Sequence, residues 1–370
     1  MTHIDIHILH SLPLSNPNRD DMNQPKMIVY GGVDRLRISS QSQKREVRDK
    51  FEDRIGDPAI RTRRIISAIA NKLIARGWAS GEASAAGQAI IKAAGLKGIE
   101  IQDNGNTNSL LFVPYAAVDK LADLAYVDQQ ALLTAAKEPK KHPKIVARIH
   151  ELLTSVNPSI AVLGRMLASN EAFTVDGAFA VAHPFTTHAA FAQPDFFTAV
   201  DDIPGDSGGT AHKDTQALTS GVYYRYARLD TAELVRNVGG DVDLSEQITT
   251  ALLEEFVTYN PPAKRTSTAP FTPPALVYMT VRSDRPVSLA GAFEAPVQAT
   301  QGSGWMAPSI TALTDHLRSV NAFYGTAGVR ASAHSGTQVP ESGSGLGEHI
   351  PALQDIVQHI TTAAYTGGRR

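Results

Sequence analysis

Residues 3–10 read His-Ile-Asp-Ile-His-Ile-Leu-His, and this alternation constrains the fold more than any other stretch of the chain. In an extended backbone Ile4, Ile6 and Ile8 fall on one side and Asp5 and His7 on the other, the period-2 pattern of a half-buried strand. A helix is predicted at about 41–55: Ser40 and Gln43 have capping-box spacing, and Val47, Phe51 and Ile55 repeat at i, i+4, i+8 as a buried stripe. From 57 to about 156 the pattern is helical and alanine-rich, broken by glycines around 95–105 and by the segment 137–144. Strand-like runs return at 159–166, 178–183, 221–226 and 275–281, with helices near 244–258 and 308–324. A strand–helix opening whose sheet resumes after a long helical excursion suits an α+β fold, a ferredoxin-like core carrying insertions. The Gly-, Ser- and Pro-rich residues 332–347 read as a mobile segment.

Composition narrows the chemistry. The 370 residues, 42% hydrophobic and 19% charged, suffice for a buried core in one elaborated domain or two. No run approaches the roughly 18 apolar residues of a membrane span, and the first residues lack the blocks of a signal peptide, so a cytoplasmic protein is expected. With no cysteine, disulfides, thiolate zinc sites and a cysteine nucleophile are excluded. The 12 histidines form no H-E-x-x-H pattern, residues 18–23 lack the Gly and Glu of a calcium loop, and the glycine-rich 205–209 is not followed by Gly-Lys-Ser or Gly-Lys-Thr. No metal and no cofactor are expected.

A net charge of -2 argues against nucleic-acid binding over the whole surface. Residues 26–64, however, carry eleven Lys and Arg against six Asp and Glu, +5 within that balance. On the helix near 41, Gln41, Lys44, Arg45 and Arg48 share one side of the first two turns, and Ser39, Ser40 and Ser42 sit where free N–H groups and the helix dipole favour an anion. Gly31 and Gly32 allow close backbone approach, and Arg35 and Arg37, two apart on a strand, are expected to face the same way. The pattern fits a phosphate-bearing ligand, with surface salt bridges as the bland alternative. Residues 190–220 read as a long hairpin in which Phe196 and Phe197 point to opposite faces, one inward and one free to wedge between bases.

Two blocks of sequence are similar to one family. The first runs through Asn18-Arg19-Asp20-Asp21-Met22-Asn23, Lys26, Gly31-Gly32, Arg35-x-Arg37-Ile38-Ser39-Ser40-Gln41-Ser42, Lys44-Arg45 and Arg48. The second runs through Gly164-Arg165-Met166, Asp176-Gly177-Ala178, Ala182-His183, Thr186-Thr187-His188, 197–202, Ala211-His212, Thr215-Gln216 and 220–227. Together they resemble the CasC family, the guide-RNA-binding backbone subunit of type I-E CRISPR Cascade complexes.

The resemblance implies an RRM-like palm (1–56, 157–189 and 221–331), a helical fingers insertion (57–156), a β-hairpin thumb (190–220) and a terminal segment (332–370). It implies a non-catalytic role: copies polymerise along the CRISPR RNA beside other Cascade subunits, while base pairing, not protein, reads the target DNA. Carried over residue by residue, Arg19, Lys26, Ser39, Gln41, Lys44 and Arg48 would hold RNA, Met166 and Phe197 would wedge between bases, and His212 would contact RNA in the thumb. Lys137, Lys140, Lys141 and Lys144 would face DNA, although Pro139 and Pro143 interrupt any common helix face. The rival reading is an RRM-like endoribonuclease that processes CRISPR RNA with His7, His10 or His183 as acid or base.

Overall fold

A computed structural model describes residues 2–167, 171–200, 210–302, 304–340 and 343–366. Its strands are β1 (His3–Ser15), β2 (Met27–Tyr30), β3 (Val33–Leu36), β4 (Ala59–Thr62), β5 (Leu111–Pro114), β6 (Phe179–Val181), β7 (Phe185–Thr186), β8 (Gln193–Val200), β9 (Thr210–Asp230), β10 (Leu276–Arg282), β11 (Val329–Ser335) and β12 (Glu348–His349). The helices are α1 (Ser40–Ile55), α2 (Ile65–Ile74), α3 (Ser80–Ala94), α4 (Tyr115–Val127), α5 (Gln129–Lys137), α6 (Pro143–Thr154), α7 (Pro158–Leu163), α8 (Thr231–Asn237), α9 (Val242–Val257), α10 (Arg265–Thr268), α11 (Met306–Tyr324) and α12 (Leu353–Tyr365). The chain divides into two compact units. One comprises Met1–Asp49, Phe179–Thr231 and Thr249–Arg370, the other Lys50–Ala178 and Ala232–Ile248.

The first unit holds the main sheet, ordered β12-β11-β10-β1-β9-β6 with β7 and β8 also paired to β9. Every ladder is antiparallel except β11–β12. In the series β1-α1-β6-β9-α9-β10 the central β1 lies between β10 and β9, and β6 lies outside β9, which is the ferredoxin-like, RRM-like arrangement. β1 is buried on both faces, not one: Asp5, His7 and Leu9 on one side are as inaccessible as Ile4, Ile6, Ile8 and His10 on the other. The polar alternation therefore marks a satisfied buried layer. His7 Nδ1 meets the Tyr224 hydroxyl at 2.9 Å, and His10 Nε2 meets the Thr272 carbonyl at 2.8 Å.

Of the residues expected to form a mobile segment, 332–335 instead belong to β11 and extend this sheet, while the described residues from 336 to 347 lie in no strand or helix. β11 pairs with β10 from Val277↔Ser335 to Arg282↔Val329, and α12 buries Ile356, Val357 and Ile360. Pairing with β10 overrides the small-residue composition at the start of that segment.

In the second unit, α2 to α6 enclose Ile65, Ile69, Leu73, Ile90, Leu121, Leu132, Leu153 and Phe173. The expected all-helical stretch also contains the β4–β5 pair. The run 159–166, expected as a strand, opens instead as α7: Asn157 accepts the Ile160 N–H at 3.1 Å and Pro158 occupies the first turn. Six apolar-rich residues read equally well as strand or buried helix, and the cap decides.

Candidate nucleic-acid interface

The two-residue turn between β2 and β3 is Gly31-Gly32, with φ of 61° and 76°. Both angles are left-handed, as a tight hairpin turn of this kind requires. A Cβ on Gly31 would lie 1.6 Å from the Glu294 carbonyl oxygen, so no side chain fits there. Beneath the hairpin, Arg35 is fully buried, and its guanidinium donates to the carbonyls of Tyr30 (3.2 Å), Thr186 (2.9 Å), Phe293 (2.9 Å) and Glu294 (3.3 Å). The expectation that Arg35 and Arg37 face a ligand together is thus corrected. Arg35 braces the hairpin from below, and only Arg37 reaches the open side.

That open side is a groove of about 660 Å³ lined by Lys26, Ile28, Val29, Tyr30, Arg37, Ser39, Gln41, His183, Phe185 and Ala290. Its walls are tied together by main-chain bonds: Arg37 N–H to the Lys26 carbonyl, Lys26 N–H to the Asn18 carbonyl, and Ile38 N–H to the Pro184 carbonyl, each 2.9 Å. Asn18 Oδ1 also accepts the Ser39 N–H at 2.9 Å, which seats the start of α1 at the groove edge. The cap of α1 differs from the expected Ser40–Gln43 box. Ser39 Oγ accepts the Ser42 N–H at 3.2 Å, and His183 Nδ1 accepts the Ser40 N–H at 2.9 Å. Gln43 is buried instead, its side-chain oxygen accepting from Arg225 Nε at 3.0 Å and Nη2 at 3.1 Å.

Three of the residues anticipated from sequence, Lys26, Ser39 and Gln41, therefore meet in one groove, and α1 carries Lys44 and Arg48 onward from it. Burial lowers the Lys44 ammonium below the ordinary lysine range. Arg48 is paired with Asp49 at 2.9 Å, whereas Lys26, Arg37, Lys44 and Arg45 have no ion-pair partner among the described residues. Cations gathered without carboxylates attract a polyanion. Arg19 lies in the preceding loop, bridged to Pro25 and donating to Asn23 Oδ1. The sequence pattern set Arg37 beside Arg35 on the ligand side, and the structure keeps only Arg37 there; His183 was anticipated only as a candidate acid or base, not as part of this groove.

The hairpin exists as β8 against β9, with Phe196 opposite Thr215 and Phe197 opposite Asp214. Both phenylalanines are exposed, 62% and 40%, so the expectation of one inward ring is corrected: a two-stranded ribbon has no core on either face. The tip at 201–209 lies outside the described residues, as does the His212 side chain, whose main chain pairs with Ala199. At the hairpin's root, His188 is buried, donates from Nδ1 to the Ala189 carbonyl at 2.8 Å and accepts the Val222 N–H at Nε2 at 3.1 Å. It stacks on Trp305 with ring centroids 3.8 Å apart.

In the helical unit Met166 is 81% exposed and follows Arg165, which is buried and donates to the carbonyls of Phe112, Leu153, Thr154, Ser155 and Phe173. Lys137 ends α5, Lys140 and Lys141 lie in a 3-10 turn (Pro139–Lys141), and Lys144 follows Pro143 in the first turn of α6. All four are exposed, and Lys141 bridges Glu138 at 3.0 Å. The two prolines each open a new element, so the lysines do not share one helix face.

These features define an α+β protein with a ferredoxin-like sheet, a projecting β-ribbon and a groove edged by unneutralised cations. The chain belongs to the CT1975-like protein family, whose family model matches residues 4–359. Among solved structures it is similar to a chain of a "CRISPR RNA-guided surveillance complex, pre-nicking", with 36% identity, a TM-score of 0.88 and coverage of 98% of this chain and 100% of that one. A second, from a "CRISPR RNA-guided surveillance complex", has 33% identity and a TM-score of 0.77, with coverage of 98% and 100%. No curated protein matches. Among the described residues no helix is long and apolar enough to cross a membrane.

Proposed function

We propose that this protein is a non-catalytic backbone subunit of a type I-E Cascade complex, copies of which polymerise along CRISPR RNA and present it in segments for pairing with target DNA. The observation that carries the reading is the groove of Lys26, Arg37, Ser39 and Gln41, continued by Lys44, in which the cations lack carboxylate partners among the described residues. The similar solved chains, taken from CRISPR RNA-guided complexes, support it. Lys26, Ser39, Gln41, Lys44, Arg48 and Arg19 hold the RNA backbone, while Met166 and Phe197 offer exposed apolar groups to bases.

The endoribonuclease reading needs a reachable acid or base. His7 and His10 are buried, and desolvation holds both imidazoles down to about 3, neutral and away from any surface. His183 is exposed, but its Nδ1 accepts the Ser40 N–H and Nε2 then carries the ring proton, so neither nitrogen of that ring is free to act as a base.

Purification of the full-length protein should yield bound RNA, and RNAs of increasing length should recruit protein in integer steps, as a head-to-tail assembly requires. Incubation with repeat-containing RNA in EDTA should leave that RNA intact. Defined cleavage products, or a fixed dimer at every RNA length, would overturn the proposal.

A further inference from the structure

We infer that His183 and Arg37 form a phosphodiester clamp in the groove, His183 through Nε2–H and Arg37 through its guanidinium. The inference rests on the RNA-binding reading of the groove and adds two contacts to it.

His183 Nδ1 accepts the Ser40 N–H at 2.9 Å, so in the neutral ring the proton resides on Nε2. That N–H has no partner among the described residues, and His183 is exposed and lines the groove. The ring therefore caps α1 with one nitrogen and offers a donor of fixed tautomer with the other. Arg37 lies on the neighbouring segment, paired with Phe185 by an isolated bridge. Arg37 also lines the groove and has no carboxylate partner among the described residues, so the outer end of its guanidinium is left for a phosphate oxygen. Ile28, Val29, Tyr30 and Phe185 give the groove an apolar lining, so a bound phosphodiester is partly withdrawn from water and its hydrogen bonds are strengthened. The groove's volume, about 660 Å³, leaves room for the sugar beside the phosphate.

The two contacts have different signatures. A neutral imidazole adds a hydrogen bond but releases no counterion, whereas a guanidinium does both. The test is RNA affinity across a salt series, using full-length protein and a short single-stranded RNA that takes up one copy. His183→Asn retains an oxygen to accept the Ser40 N–H, so its melting temperature should match the wild type. Its affinity should fall about tenfold with the salt slope unchanged. Arg37→Met should weaken binding and flatten the slope by about 0.7, and Arg37→Lys should restore the slope. If both variants bind like the wild type while Lys26→Ala/Lys44→Ala binds weakly, the clamp is wrong and the groove reading stands. If the double variant also binds like the wild type, both readings fail. Affinity losses confined to variants with a lowered melting temperature would also overturn the clamp.

Discussion

The Tyr226 hydroxyl donates to Asp5 Oδ1 at 2.8 Å in the middle of the main sheet, and the Val287 N–H donates to the other carboxyl oxygen at 2.9 Å. Burial still pushes this carboxyl up to about 6, against the lowering effect of both bonds and of Arg282 and Arg228. One step along β1 on the same face, His7 stacks on Tyr226 and Tyr278 with centroids 5.1 and 5.4 Å away. A layer of polar side chains thus occupies the face that the alternating sequence suggested was wet.

This layer gives stability a pH dependence with a defined sign. Asp5 titrates near 6 in the fold and at 3.8 without it, so its contribution is full below about pH 4 and is lost as pH rises through 6. Each tenfold change in proton affinity is worth about 1.4 kcal/mol, so the stability difference between wild type and Asp5→Asn should decline by roughly 3 kcal/mol from pH 4 to pH 7. Urea unfolding at each pH measures it, and a constant difference would contradict the assignment.

Along α1, replacing Lys44 and Arg48 together by Ala should weaken RNA binding alike for all sequences. The slope of log K against log salt should flatten by about 1.4, at about 0.7 per phosphate contact to a single strand. Arg48 also pairs with Asp49, so the single Arg48→Ala change should leave Asp49 as a new repulsive charge and weaken binding further at low salt than at high salt.

The phenylalanines of the ribbon and of the core should part company. Phe256 is fully buried, edge-on to Phe179 at 5.4 Å, and Phe256→Ala should cost about 3–5 kcal/mol of folding stability. Phe197, 40% exposed, should cost far less when cut to Ala, while altering the chemical reactivity pattern of bound RNA. A sharp drop in melting temperature for Phe197→Ala with an unchanged RNA pattern would remove it from the interface.

Arg165 is a basic residue that should behave as a structural one. Burial brings its guanidinium down to about 10, and five backbone carbonyls take its donors. Arg165→Met should destabilise the protein by at least about 3 kcal/mol because several buried carbonyls lose their partner. Arg165→Lys should recover little, since an ammonium has three donors and no planar fork. Thermal unfolding of the two variants checks this, and equal stability of Arg165→Met and wild type would refute it.

The sequence by itself determined the strand–helix opening, the helical excursion, the hairpin and the grouping of Ser39, Gln41 and Lys44 at the start of α1, because these rest on short-range periodicity and on residues close in the chain; Lys26 was joined to them only by the family resemblance. It could not separate Arg35, Arg165 and Arg225 from Arg37, which lines the open groove. A buried arginine satisfied by carbonyls and one lining an open groove have the same letter, and the difference lies in partners up to 259 residues away. His183 reached the groove in the same manner, across 143 residues of chain from Ser40. Nor could it tell that β1 is buried on both faces, that Ser39 rather than Ser40 caps α1, or that 329–335 completes the sheet. The sheet cases depend on which distant strand supplies the hydrogen bonds, and the cap on Asn18 and His183, which take the Ser39 and Ser40 N–H groups; only the folded chain brings those partners within about 3 Å.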